Sequence, residues 1–111
     1  MYKVQISGTG LYTPKEKISN EELVQSFNKY VDEFNVTNSE DIKNGKIQPL
    51  EKSSAEFIEK ASGVKSRYVQ NKTGILDTSF MRPKLSEWSE EELSNLAEMG
   101  VIAAIDAIKN S

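Results

Sequence analysis

Apolar positions in this chain change their period as the sequence proceeds, and the changes predict its elements. Val4 and Ile6 alternate with Lys3, Gln5 and Ser7, a period of two that predicts a short first strand ending near Gly8-Thr9-Gly10. Leu11 and Tyr12 extend it until Pro14 breaks the ladder. From Leu23 the period becomes helical: Leu23, Val24, Phe27, Tyr30, Val31 and Phe34 form one stripe that ends near Asn35. Ser19 and Glu22 make a reciprocal capping box at its start, with Ile18 placed to staple against Leu23.

A second box is read at Ser53 and Glu56, opening a helix with Phe57, Ile58 and Ala61 on one face. Gly63 closes it in the left-handed position, and Lys65 to Val69 reads as a strand. The third box, Ser89 with Glu92, opens a last helix, with Trp88 as the staple partner of Leu93. That helix carries Ala97, Gly100, Val101, Ala103, Ala104, Ile105, Ala107 and Ile108, a nearly all-round apolar surface of small side chains. Such a surface packs on something broad, such as a sheet. Between the elements lie a polar excursion from 37 to 52, with one helical turn around Ser39 to Lys43, and an irregular stretch from 70 to 87. The class is α/β: an incomplete sheet with three helices, all within a single unit spanning 1–111. With only two strands for so apolar a last helix, the chain reads as an N-terminal portion of something larger.

Composition narrows the chemistry. Fourteen basic against seventeen acidic residues give a net charge of −3, so no overall positive field exists to attract nucleic acid or anionic lipid. No apolar run approaches a membrane span, and the N-terminus lacks the order of a signal peptide, which predicts a cytoplasmic setting. The sequons Asn35-Val36-Thr37 and Asn71-Lys72-Thr73 are therefore read as chance matches. With no cysteine and no histidine, the chain has neither a thiol nucleophile nor an imidazole base.

Each remaining motif has a plain structural reading. Gly8-Thr9-Gly10-Leu11-Tyr12-Thr13 approaches a dinucleotide fingerprint, but Thr13 replaces the third glycine and Pro14 stands where the helix should run. Glu90, Glu91 and Glu92 fit the first turn of a helix, where carboxylates complement the macrodipole, better than a metal site. Glu51, Glu56 and Glu59 with Lys52 and Lys60 read as a solvated, charge-paired face. Arg67 reads as an anchor for a nearby loop, with a phosphate contact as the alternative.

Taken in order, Ile6 to Pro14, Ile18 to Leu23 and Ser53 to Val69 resemble the N-terminus of the β-ketoacyl-acyl-carrier-protein synthase III family, in the thiolase superfamily. Gly74 to Asp77, Met81-Arg82-Pro83, Glu92 to Ser94 and Ala97 to Met99 are similar to its longer, β-ketodecanoyl subgroup. The resemblance implies a thiolase-like fold, a cytoplasmic homodimer and covalent catalysis in two half-reactions. A cysteine accepts an acyl group from acyl-CoA, and malonyl-acyl-carrier protein then decarboxylates and attacks. The family's cysteine, histidine and asparagine would all lie beyond this chain, so the chain alone is expected to be inactive and to hold no cofactor of its own, coenzyme A thioester being a substrate. The resemblance further implies that Ser53, Phe57 and Ala61 stand where the family contacts the nucleotide of coenzyme A, Phe57 in place of a tryptophan and Ala61 in place of an arginine. Arg67 completes the candidate set. The rival readings are a thiolase-superfamily acyltransferase with another donor, and a non-catalytic module that binds an acyl carrier or a partner helix.

Overall fold

The computed structural model describes residues 1–87 and 89–111. Among them are two strands and five helices, ordered β1 (Glu16–Ser19), α1 (Asn20–Thr37), α2 (Ser39–Lys43), α3 (Ala55–Ser62), β2 (Ser66–Val69), α4 (Lys72–Leu76) and α5 (Asn95–Lys109). The chain divides into two compact units, Pro14–Leu85 and a second made by Met1–Thr13 with Ser86–Ser111. Among the described residues no helix is long and apolar enough to cross a membrane.

In the unit Pro14–Leu85, β1 and β2 pair antiparallel, with Ile18 opposite Arg67 and Ser19 opposite Ser66. The strand therefore lies at 16–19 and not at the predicted 3–7. Alternation is a local signal, whereas a strand requires a partner ladder, and only Glu16–Ser19 finds one in β2. Ser19 then ends β1 and caps α1 in one residue. Its side chain accepts from the Glu22 N–H at 3.2 Å, and Glu22 Oε2 accepts from the Ser19 N–H at 3.0 Å, so the predicted box is present. The α1 stripe is borne out in part: Val31 is fully enclosed, as is Ile18 one residue before the cap.

Asparagines on α1 tie the rest of the unit to it. Asn28 grips both backbone groups of Ser53, accepting from its N–H at 2.9 Å and donating to its carbonyl at 3.0 Å. Seven residues on, Asn35 does the same to Leu50, at 2.9 and 3.0 Å. Two side chains thus satisfy backbone groups that a strand neighbour would otherwise satisfy, and the polar excursion is strapped along the helix. The cap of α3 is Ser54, whose hydroxyl accepts from the Phe57 N–H at 3.1 Å, not the predicted Ser53. Ser53 is held by Asn28, and the shift of one residue puts Phe57, not Glu56, at the third helical position, so no reciprocal box forms. Gly63 takes φ 72 and closes α3 as expected.

In the other unit, the N-terminal segment meets α5. Leu11 N–H donates to Asp106 Oδ2 at 3.0 Å, and Asn110 Nδ2 donates to the Thr9 carbonyl at 3.0 Å. The segment comes close because it has glycines there. A Cβ on Gly8 would stand 2.6 Å from the Ala107 carbonyl, and one on Gly10 would run into the backbone of Ala103 and Ala107. The small residues of α5 therefore accept an extended backbone segment and not the broad sheet expected of them, and no residue of α5 is buried. The helix starts at Asn95 with Ser94 as its cap, five residues after the start that the Ser89 box predicts. Ser89 and Glu92 do bond, Ser89 N–H to Glu92 Oε2 at 2.9 Å, but the Glu92 N–H donates to the Ser89 carbonyl at 3.1 Å and closes a turn. Glu90, Glu91 and Glu92 thus lie outside α5, whose first-turn acid is Glu98. The staple expected of Trp88 falls outside the described residues.

Candidate functional site

In the unit Pro14–Leu85, an apolar groove of about 310 Å³ runs between α1, α3, α4 and the chain after it. Leu23, Val24 and Phe27 form the α1 wall, Ser53 and Ile58 a second, and Ile75 with Met81 a third, while Ser26 lies at the base. The groove follows from the sequence pattern. Leu23, Val24 and Phe27 belong to one helical stripe, and Ile58 projects from the α3 turn that Ser54 caps. Ser26 is almost buried and donates to the Leu76 carbonyl at 2.8 Å, fixing α4 over α1.

The four candidate residues occupy distinct places. Ser53 is half-buried, lines the groove, and has its backbone taken by Asn28. Phe57 is 65% exposed, and Ala61, one turn further along α3, is exposed as well. The expectation that Phe57 and Ala61 join Ile58 in a core face is not met, because Ile58 alone of the three is partly covered. Arg67 is half-buried on β2 and donates from Nη2 to Asn20 Oδ1 at 3.0 Å, in keeping with an anchor.

Asn20 is the residue that sequence reasoning missed. It is 2% exposed. Its backbone N–H donates to the Lys65 carbonyl at 3.0 Å, its Nδ2 to the Val64 carbonyl at 2.6 Å, and its Oδ1 accepts from Arg67. One side chain thereby fixes the turn that joins α3 to β2 and the orientation of Arg67. The available signal was an amide next to a cap, on the helical face shared with Val24 and Phe27.

Electrostatics around the loops are local. The Lys72 ammonium, joined by the Ser19 N–H, holds the Glu22 carboxyl below its ordinary 4.5, and the Lys72 N–H donates to Glu16 Oε2 at 2.7 Å. The Ser79 hydroxyl and N–H, followed by Lys84, lower the Asp77 carboxyl to about 2. Asp77 Oδ1 accepts from Ser79 Oγ at 2.6 Å and Oδ2 from Lys84 Nζ at 3.1 Å, so this carboxylate organises the turn after α4. Among the described residues, no cluster of acidic side chains has the arrangement of a metal site.

No family model matches the chain. Among curated proteins, it is 48% identical over 88 residues to a β-ketodecanoyl-acyl-carrier-protein synthase of Pseudomonas aeruginosa. The match covers 79% of this chain and 25% of that protein, so the chain spans about a quarter of the length of the relative. Over that stretch it is a sequence relative of a β-ketodecanoyl-acyl-carrier-protein synthase, and the resemblance carried by its own motifs holds down to the subgroup.

Proposed function

We propose that this chain is the opening portion of a β-ketoacyl-acyl-carrier-protein synthase III of thiolase-like fold, which condenses an acyl-CoA with malonyl-acyl-carrier protein in fatty-acid synthesis in the cytoplasm. The observation that carries the reading is the 48% identity over 88 residues to a protein about four times as long as the matched stretch. Two physical features support it. The chain has no cysteine or histidine, so the nucleophile and the groups that stabilise the decarboxylated donor come from elsewhere in the polypeptide. In addition, α5 leaves apolar residues such as Leu96 and Ile108 79% and 72% exposed, as expected of a helix that the remainder of a larger domain would cover.

In this reading, residues 1–111 contribute architecture and part of the coenzyme A entrance. Phe57, exposed on α3, offers a ring on which an adenine can stack, with Ala61 leaving space one turn away. Ser53 lines the groove beneath, and Arg67 steadies the turn behind α3 through Asn20. The complete enzyme is a homodimer, as the family resemblance implies. A ten-carbon β-ketoacyl product, the one named for the relative, is made by adding two carbons to an eight-carbon thioester, so octanoyl-CoA is the donor to test. The complete protein, incubated with octanoyl-CoA and malonyl-acyl-carrier protein, is expected to release carbon dioxide and form β-ketodecanoyl-carrier protein, whereas residues 1–111 alone do neither. Absence of product with any acyl-CoA tried would overturn the proposal.

A further inference from the structure

We infer that Arg82, whose guanidinium lies over the Phe80 ring, is a cation of the acyl-donor site and binds the phosphorylated nucleotide end of the thioester; this rests on the condensing-enzyme reading above. Its guanidinium carbon lies 4.6 Å from the centre of the Phe80 ring, and Lys84 Nζ lies 5.5 Å from the same ring. What balances the two charges differs. Lys84 is paired with Asp77 at 3.1 Å, whereas among the described residues no carboxylate stands within ion-pair distance of Arg82. A guanidinium with no carboxylate in reach keeps N–H donors for another partner, and its planar fork matches two oxygens of a phosphate.

The backbone carrying this cation is already set. The Asp77 carbonyl accepts from the Phe80 N–H at 3.0 Å and from the Met81 N–H at 2.8 Å, and Asn71 Oδ1 accepts from the Lys84 N–H at 3.0 Å. The Arg82 carbonyl packs against Gly74 so closely that a Cβ there would collide with it. Met81 has φ 52, the one positive value at a non-glycine residue among those described. Backbone of this kind persists where surrounding bonds impose it, and it concentrates at ligand sites.

The bend sets Met81 in the groove wall with Ser53 and Ile58. Consecutive Cα atoms are about 3.8 Å apart. Arg82 therefore begins one residue from that wall at Met81, and the exposed Phe57 begins one residue from it at Ile58. The segment after α4 thus carries an aromatic–cation pair on backbone that borders the groove wall at Met81. The ligand class that fits is a phosphate-bearing nucleotide, with Phe57 for the base and Arg82 for the phosphate.

The test uses the complete protein and two eight-carbon donors, octanoyl-CoA and octanoyl-pantetheine, the second lacking the nucleotide. Arg82→Ala is expected to raise KM for octanoyl-CoA about tenfold with kcat within about twofold, a loss of binding and not of chemistry. Arg82→Lys should fall between, and KM for octanoyl-pantetheine should not move. Melting curves that match the parent protein's establish that the variants fold; Arg82→Met, which keeps the packing without the charge, replaces Arg82→Ala if the alanine variant does not. An unchanged KM for octanoyl-CoA, or an equal rise for both donors, would overturn the inference. So would a rise confined to malonyl-carrier protein, which would make Arg82 a carrier-docking residue. Condensation by the parent protein with either thioester keeps the underlying reading intact whatever the variants do, and its absence with both overturns that reading.

Discussion

The two units of this molecule hold together in opposite ways. In Pro14–Leu85, Ile18 and Val31 are fully enclosed, and buried Asn20 and Ser26 have all their polar groups engaged. Asn28 and Asn35 clasp backbone from a distance, so polar side chains complete a core too small to stand on apolar burial alone. In Met1–Thr13 with Ser86–Ser111, no described residue is buried, and the contact that exists is glycine backbone laid on a small-residue helix. The first unit has an enclosed, hydrogen-bonded centre. The second is a surface, which is what the quarter-length match to a larger synthase leads one to expect.

Core truncation should separate the units most strongly. Ile18→Ala removes an enclosed side chain and is expected to destabilise the 111-residue chain by about 3 kcal/mol in denaturant unfolding. Ile105→Ala, on exposed α5, should change the same measurement by less than about 0.5 kcal/mol. In the complete protein the second substitution should instead lower stability by about 2 kcal/mol or more, and equal small effects in both settings would break the comparison.

Glycines give the next effect. Gly10→Ala forces a methyl into the Ala103 and Ala107 backbone and should destabilise by about 2 kcal/mol, whereas Gly100→Ala meets nothing within 4 Å and should stabilise α5 by about 0.5 to 1 kcal/mol. Thermal melts of the pair test whether the N-terminal segment lies on α5. A smaller loss, about 1 to 2 kcal/mol, is expected for Asn28→Ala, which strands two backbone groups of Ser53, and amide exchange at Ser53 should accelerate with it.

The smallest effect is one of pH. Asp77 is depressed from 3.8 to about 2, so its contribution to stability is complete above 3.8 and is lost as pH falls through about 2. Glu22, depressed by Lys72, acts in the same direction below 4.5. Asp77→Asn should flatten the acid limb of an unfolding titration between 3.8 and 2, and an unchanged limb would show that the Ser79 and Lys84 bonds are not maintained in solution.

Signals confined to one turn of chain were legible beforehand: the Ser19–Glu22 box, the α1 stripe, Gly63 and the helical turn at Ser39–Lys43. Those that needed a distant partner were not. Val4 and Ile6 alternate as a strand would, yet they stand 93% and 88% exposed, and no strand among the described residues pairs with them. Ser53 and Ser54 are equivalent as caps by residue type, and the choice fell to Asn28, twenty-five positions away. Ser89 and Glu92 formed their bond but closed a turn, since Ser94 offers a second cap nearer the apolar run. Motif position alone named Phe57 and Ala61 as candidates, whereas the groove and the role of Asn20 emerge only when α1, α3 and the segment after α4 are brought together.

Whether residues 1–111 frame a condensing enzyme whose nucleophile lies outside them is decided by peptide mass mapping of the complete protein after incubation with octanoyl-CoA alone. One octanoyl group is expected, as a thioester on a cysteine in a peptide outside residues 1–111. An acyl group on a serine or lysine within them, or no acylation at all, would contradict it.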